Sequence, residues 1–366
     1  MHEFSVLDLF AGVGGLSLGF EMAGAAPRAA IELNERHAEY YALNRDAEIP
    51  VYARSIVDVE PLKLACEIDI SKRELDFVIG GPPCQPFSFA GKRNGTADTR
   101  GTLVEEFIRF VRELQPRIFV MENVLGLKSI HDGSYLKKIM RQFERDGYRC
   151  NEFVLNAADY GVPQKRRRLF IVGSRLDWVD LSRPIPTHGP DPDMLFVRPY
   201  VTVRDAISDL PRLTGDELLT DDSTRLAYAT PPNDYQRDRR NGRRKVSGNG
   251  ITRHSPHILK ALAIEALPEG STHSSTRYRR LHWDEPSVTL RAGSGSFTAL
   301  RPIHPEEPRV ITVREAARLQ SFPDSFEFSP QKKLAYQQIG NSVPPLLARA
   351  VAAHLIESLI EARTRT

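Results

Sequence analysis

Three groups of side chains in this sequence could do chemistry together. The first is a thiol: Cys84 stands in Gly80-Gly81-Pro82-Pro83-Cys84-Gln85-Pro86-Phe87-Ser88. Glycine lets another molecule approach the backbone closely, and paired prolines fix φ and remove their N–H groups, so the turn is stiff. Such flanks make a surface loop. Cys84 therefore reads as a presented nucleophile rather than a buried small hydrophobe. The second is a carboxylate: the apolar run Ile118-Phe119-Val120-Met121 delivers Glu122, and an acid at the end of a buried strand needs a partner or a task. The third is the cationic run Gln164-Lys165-Arg166-Arg167-Arg168, which suits phosphate and can lower the pKa of a nearby thiol.

The elements that must position these groups follow from periodicity. Asp76-Phe77-Val78-Ile79 reads as a buried strand ending at Gly80. Ser5 to Phe10 is another strand, running into Ala11-Gly12-Val13-Gly14-Gly15 and a helix from Leu16 to Met22. A strand, a glycine-rich turn and a helix form a cofactor-binding unit in doubly wound sheets. There an acidic residue about 20 positions further on, here Glu32, accepts hydrogen bonds from ribose hydroxyls. The full G-x-G-x-x-G spacing of nicotinamide cofactors is missing, because the position four after Gly15 is Gly19, within the helix. Asn34 caps a helix through Asn44, and Val51 to Ile56 is a third strand. Thr102 to Leu114 is an amphipathic helix stopped by Pro116, and Tyr135 to Arg145 another, stopped by Gly147. Tyr148 to Leu155 and Leu169 to Gly173 are strands flanking the cationic run. Such alternation predicts an α/β fold whose chemistry lies at the carboxyl ends of the strands.

The totals bound the reading. The 366 residues are 41% hydrophobic and 27% charged, ordinary for a globular chain. Three cysteines (Cys66, Cys84, Cys150) make a disulfide scaffold unexpected and fit a reducing compartment. No Cys-x-x-Cys pair or His-Glu-x-x-His motif suggests a metal, and Pro256 denies His254 and His257 a shared helical face. No apolar run long enough to span a bilayer and no secretory pattern stands out. Net charge is +3, but Arg225 to Arg253 holds eight Lys/Arg against two Asp, a local excess able to neutralise phosphates. From Arg175 to 278 the periodicity is weak and prolines are frequent, which marks a separate module. The pattern returns at Pro286-Ser287-Val288-Thr289-Leu290. It continues in a helix from Val313 to Gln320 with a Thr312/Glu315 capping box, and in Gln338-Ile339-Gly340-Asn341-Ser342-Val343-Pro344-Pro345, opening a last helix from Leu346 to Ile360.

Taken in order, these pieces resemble the DNA cytosine-5 methyltransferases along nearly the whole chain. They are Asp8-Leu9-Phe10-Ala11-Gly12, Glu32, the Cys84 loop, Met121-Glu122-Asn123-Val124, the Gln-Lys-Arg-x-Arg run, a variable region, Pro-Ser-Val-Thr-Leu and Gly-Asn-Ser-Val-Pro-Pro. The resemblance implies a Rossmann-like S-adenosylmethionine-dependent methyltransferase sheet at 1–174. It implies a smaller, basic target-recognition domain at 175–278 and a return segment at 279–366 completing the catalytic domain. It further implies Cys84 as nucleophile on cytosine C6 and Glu122 at ring N3 and the amino group; protonated, or sharing a proton with N3, Glu122 would neutralise charge building on the ring, and desolvation would raise its pKa toward that use. Arg166 and Arg168 would support the base pocket, Arg168 toward cytosine O2.

For S-adenosyl-L-methionine, and its product S-adenosyl-L-homocysteine, the resemblance implies Phe10, Ala11, Gly12, Gly14, Gly15, Glu32, Ile56, Pro83, Asn341 and Ser342. By the same resemblance the Pro83 carbonyl would also lie near the cytosine amino group. Ser55 stands where the family usually carries the aspartate that faces the adenine amino group. Double-stranded DNA would be held by Gln85, Ser88 and Thr289, and by Arg239, Arg240, Arg243 and Arg244 from the basic run. The loop from Gln85 to about Gly101 would close over a flipped base. The implied protein is a monomer of the bacterial cytoplasm, associated with the nucleoid through DNA. It bears no membrane anchor and shares its site with a cognate restriction endonuclease without touching it. A transfer RNA methyltransferase on the same fold, a non-catalytic DNA-binding regulator and a nicotinamide oxidoreductase are the alternatives.

Overall fold

The structure is a computed structural model that describes residues 4–45, 48–83, 102–190, 197–211, 223–265, 267–272, 278–291 and 302–363. The chain divides into two compact units, one formed by 1–155, 167–185 and 348–366, the other by 156–166 and 186–347. Residues 279–347 thus group with 186–278.

The first unit is built on short apolar strands: β1 (Phe4–Leu9), β2 (Ala25–Glu32), β3 (Val51–Ala53), β4 (Phe77–Gly80), β5 (Ile118–Asn123), β6 (Arg149–Asn156) and, after a two-residue β7 (Gln164–Lys165) that pairs elsewhere, β8 (Arg167–Ser174). Among the described residues they form a sheet ordered β3-β2-β1-β4-β5-β8-β6. β3, β2, β1, β4 and β5 run parallel, whereas β8 runs antiparallel to β5. Strands covered on both faces need near-continuous apolar runs, and β4 and β5 are buried at every position. The strand order reverses between β1 and β4, and ligands of open α/β sheets bind at such a switch point.

Helices α1 (Gly15–Met22), α2 (Glu35–Leu43), α3 (Pro61–Glu67), α4 (Thr102–Leu114) and α5 (Ser134–Arg145) also belong to this unit. Asn34 caps α2 as its sequence predicts, its side chain accepting from the N–H groups of Arg36 and His37. α4 buries Phe107, Phe110, Val111 and Leu114. Phe119 of β5 stacks on Phe143 of α5 at 3.9 Å between centroids, with Phe107 edge-on. Several fully buried aromatics at about 2–3 kcal/mol each make this the stable support of the sheet.

The second unit has shorter elements: α6 (Val203–Ile207), α7 (Asp234–Arg240), α8 (Pro256–Ala261), α9 (Val313–Leu319) and α10 (Lys332–Asn341), with two-residue strand pairs between them. β7 pairs in parallel with Ser287–Val288. The Thr312/Glu315 capping box is present. The sequence places the Gly340–Pro345 motif at the opening of one last helix. Instead it ends α10 and, after a break at Ser342–Pro344, begins α11 (Pro345–Arg363). An 18-residue window within Lys332–Glu361 has a mean hydropathy of 1.4 and is, by length and composition, apolar enough to cross a membrane, which the sequence reading did not expect. This window is 56% buried within the protein. Val351, Leu355 and Leu359 are core residues, and Ser358 accepts from the Asp180 N–H at 2.7 Å, so α11 is a core helix.

Candidate active site

The parallel strands β2, β1, β4 and β5 end on one edge, where Ile31 and Gly80 flank Leu9 and Met121 flanks Gly80. Beyond Leu9 the chain turns sharply. Phe10 adopts a φ of +58°, a left-handed conformation that costs a side-chain-bearing residue of order 1 kcal/mol or more. The Gly14 N–H closes the turn onto the Ala11 carbonyl at 2.8 Å. Gly14, at φ +87°, suits glycine for its backbone, and a Cβ there would also push against the Arg45 guanidinium.

Glu32 locks this turn to β2. Its Oε2 accepts from the Gly12 N–H and its Oε1 from the Asn34 N–H, both at 2.8 Å. A carboxylate has about four acceptor sites, so pinned this way it still has lone pairs for a diol. Phe10 is half-buried, Ala11, Gly14 and Gly15 buried, and Gly12 half-buried. Ile56 is buried and opens a short 3-10 turn, Ile56–Asp58. Ser55 caps that turn by accepting from the Val57 N–H at 3.3 Å. Leu33 and Val57, next to Glu32 and Ile56, are 71% and 54% exposed, an apolar surface that the sequence reading passed over.

At the next strand ends, Gly80 and Gly81 give the backbone room. A Cβ on Gly80 would meet the Leu9 carbonyl, and one on Gly81 would sit 3.0 Å from Glu122 Oε2. Glu122 is therefore placed at the root of the Cys84 run. It is 9% exposed and pairs with Arg168 of β8, Nε to Oε1, at 2.8 Å. This works because β8 runs back along β5 with Glu122 opposite Phe170, two residues from Arg168. Asn123 donates from Nδ2 to the Pro82 carbonyl at 2.9 Å, a tie the sequence reading missed, although a buried amide ending an apolar strand is its signal. Pro83 is exposed. Cys84, Gln85, Ser88 and the loop to Gly101 lie outside the described residues.

Arg166 belongs to the second unit and does different work. Its buried guanidinium donates to the carbonyls of Leu290 (2.8 Å), Gly340 (2.8 Å) and Ser342 (3.1 Å). It thus fastens β7, the Pro286–Leu290 segment and the end of α10 to one another. Gln164 and Gln320, absent from the sequence reading as site residues, extend the knot. Gln164 Nε2 donates to Gln320 Oε1 at 2.6 Å, and Gln320 Nε2 to the Ser342 carbonyl at 2.6 Å. Asn341 closes α10 and Ser342 is its cap residue. Thr289 donates to the Lys165 carbonyl at 2.8 Å.

The arginines expected to hold DNA separate into two kinds. Arg239 is 5% exposed and donates to the Ser321 carbonyl at 2.6 Å. Arg240 donates to Asp209 at 2.7 Å and lies 3.8 Å over the Tyr228 ring. These two face inward, a correction to their reading as phosphate contacts, and the reason is helical geometry: α7 has one face against the unit's core. Arg243 and Arg244, beyond the helix, are exposed. Among the described residues no cluster of His, Cys, Asp and Glu could hold a metal ion.

A family model for the C-5 cytosine-specific DNA methylases matches residues 4–357. The type II methyltransferase M.XorII of Xanthomonas oryzae pv. oryzae is 40% identical over 373 residues, covering 96% of this chain and 84% of that protein. M.DdeI of Desulfomicrobium norvegicum is 35% identical over 378 residues, covering 96% and 88%. Among solved structures, one described as a DNA modification methyltransferase encoded within an Escherichia coli prophage superposes with a TM-score of 0.81 at 29% identity, covering 98% of this chain and all of that one.

Proposed function

The chain belongs to the C-5 cytosine-specific DNA methylase family and is a DNA (cytosine-5-)-methyltransferase, and from that premise we propose that it methylates C5 of a flipped-out cytosine in a specific duplex sequence through a covalent bond between Cys84 and ring C6. The observation that carries this is the Glu122 carboxylate, held by Arg168 at the point where the Cys84 run leaves β4. S-adenosyl-L-methionine, the methyl donor the family implies, fits the first turn: Glu32 is anchored with acceptor capacity to spare, glycine backbone is open to approach, and Leu33 and Val57 offer apolar surface to a flat ring. When bound, it supplies an electrophilic methyl group. Phe10, Ala11, Gly12, Gly14, Gly15, Glu32, Ile56 and Pro83 would hold it, with Asn341 and Ser342 assigned to it by the family pattern.

The chain's own residues then do the following. The Cys84 thiolate adds to C6, and the electron pair of the C5–C6 bond makes C5 nucleophilic. Glu122, as the acid, donates to N3 and balances the charge that builds on the ring. Arg168 keeps the Glu122 carboxyl from rotating, and its remaining N–H groups suit the cytosine O2. After the methyl is in place, a base takes the C5 proton and the thiolate leaves with its electron pair, restoring the ring. The second unit reads the duplex, with Arg243 and Arg244 on phosphate. The reading places a monomer on nucleoid DNA in a bacterial cytoplasm, protecting sites that a cognate endonuclease cuts.

The test is bisulfite sequencing of plasmid DNA from cells expressing the wild type or Cys84→Ala. The wild type should leave one methylated sequence context and the variant none, while the purified variant still binds duplex DNA. Methylation of transfer RNA with unmodified plasmid would move the assignment to the RNA enzyme on this fold.

A further inference from the structure

Beneath the Gly12–Gly15 turn lies a buried polar chain that the chemistry above leaves unused. Asp8, next to last in β1, is 1% exposed. The Ser17 hydroxyl of α1 donates to Asp8 Oδ2 and lies 2.9 Å from the Tyr41 hydroxyl of α2. Arg45 stacks 3.8 Å over the Tyr41 ring, donates to the Gly14 carbonyl at 2.9 Å and pairs with Glu21 of α1 at 2.5 Å. Asp8 Oδ1, by contrast, has no hydrogen-bond partner among the described residues. A buried carboxylate oxygen left without a donor is unfavourable in the ionised form, so this acid is poised to respond to a positive charge brought near.

The charged and titratable groups around it are Arg45, Glu21, Glu32 and Tyr41. Its sheet neighbours Ala30 and Ile79 carry none. Burial pushes the Asp8 carboxyl up to about 7; Ser17 and Arg45 oppose that rise, while Glu21 and Glu32 add to it.

We propose that Asp8 senses the charge of the cofactor through the turn, favouring the sulfonium S-adenosyl-L-methionine over the uncharged thioether S-adenosyl-L-homocysteine. This rests on the first turn being the cofactor site. A cation at the turn stabilises ionised Asp8, so Asp8 gives up its proton to solvent as the sulfonium binds. By linkage, the sulfonium binds more tightly as pH rises through neutrality, and the thioether gains little. Once the methyl has been transferred the positive charge is gone. Asp8 then takes a proton back from solvent, and the contribution it made to holding the sulfonium is lost from the product complex.

Titration calorimetry of both ligands at pH 6 and pH 8 tests this in the wild type, Asp8→Asn and Ser17→Ala. The affinity ratio, sulfonium over thioether, should rise about threefold to tenfold from pH 6 to pH 8 in the wild type relative to Asp8→Asn. An Asp8 acid constant about ten times larger in the sulfonium complex than in the thioether complex gives about a fivefold change across this window. Titration of the ligands' own amino groups persists in Asp8→Asn and is subtracted by it. Ser17→Ala removes the donor that favours the ionised form, so its midpoint should move to higher pH, which decides the matter if Asp8→Asn does not fold. An equal pH response in wild type and Asp8→Asn, or an unmoved midpoint in Ser17→Ala, overturns the proposal. Failure of both ligands to bind the wild type would instead overturn the cofactor reading on which it rests.

Discussion

The edge of the sheet in the first unit and the interior of the second use charge in opposite ways. In the first unit the sheet is packed by apolar side chains, and the ionic groups Glu32, Glu122 and Arg168, with Asp8 and Arg45 beneath the first turn, gather towards one edge where strands end. In the second unit, arginines are among the most deeply buried side chains. Arg280 donates to the carbonyls of Leu262, Leu267, His304, Pro305 and Glu307, and Arg318 lies between Asp209 and Asp324 with no exposure. The difference follows from backbone accounting. A sheet satisfies its own carbonyls, whereas a region of two-residue strands and short helices leaves many without partners, and every buried one must find a donor. Guanidinium, with five donors in a rigid fork, suits that task. Where regular structure is scarce, then, an arginine is as readily a structural tie as a DNA contact.

The largest way to break this comparison is Arg318→Met. It would leave Asp209 with Arg240 alone and Asp324 with Arg314 only at 4.0 Å, and losing one partner of such a buried network costs about 3–5 kcal/mol. Urea unfolding should show that loss, and cofactor affinity measured below the transition should not change, since the first unit holds the turn. A loss below about 1 kcal/mol would mean the buried network contributes little and the contrast between the units is overdrawn.

The same contrast has a pH signature of opposite sign. Asp8, raised by burial to about 7 from an unfolded value near 4, contributes stability that is present in full below about pH 4 and is lost as pH rises through 7. Glu315 is pushed up by burial too, but Arg309 outweighs that and holds it at about 2. Its contribution is full above about pH 4.5 and is lost as pH falls through 2. Stability followed by urea titration across pH 2 to 8 should therefore lose its alkaline-side slope, worth up to about 4 kcal/mol, in Asp8→Asn. Glu315→Gln should lose the acid-side slope, up to about 3 kcal/mol. Identical profiles for the two variants would show that neither acid is held as its surroundings indicate.

Glu122→Gln asks whether the sheet-edge charge is chemical rather than structural. Glutamine keeps the shape and loses the acid, so kcat should fall about 100-fold, or roughly 2.7 kcal/mol, with DNA affinity within a factor of about two. An equal fall in both would reassign the Glu122–Arg168 pair to holding β5 against β8.

How much of this was legible in the sequence follows the same line. β4 and β5 stand out as unbroken apolar runs, and Glu122 stands out because an acid ends one of them. The Asn34 cap and the Thr312/Glu315 box are readable because capping is local chemistry of a few residues. Asp8 is not legible as a buried acid: in Ser5-Val6-Leu7-Asp8-Leu9-Phe10 a lone carboxylate near the end of a strand does not say whether its face is covered, and this strand is covered on both faces. Arg166 reads as a pocket residue because spacing within a motif does not say which carbonyls lack donors; that depends on Leu290, Gly340 and Ser342, more than 120 residues away. Ser55 can be read as a departure from the family pattern, but its role as a cap needs the 3-10 turn after it.

The smallest expected effect bears on the basic run, where composition alone misleads. Arg239, Arg240, Arg243 and Arg244 are equivalent by charge, yet the first two are tied to Ser321 and Asp209 and the last two are exposed. A phosphate contact releases counterions, so removing one lowers the slope of log affinity against log salt by about 0.9 and costs little stability. Arg243→Ala with Arg244→Ala should therefore reduce that slope by about two and leave the unfolding free energy within about 0.5 kcal/mol of wild type. Arg239→Ala should do the reverse: the salt slope should hold, while the lost packing on Tyr235 and the orphaned Ser321 carbonyl lower stability by about 1–3 kcal/mol. Fluorescence anisotropy on duplex DNA across a salt series, paired with urea melts, reads both quantities from one preparation. If Arg239→Ala also flattened the salt slope, the inward arginine would be counted with the DNA contacts after all, and the division within α7 and its C-terminal extension would not separate fold from function.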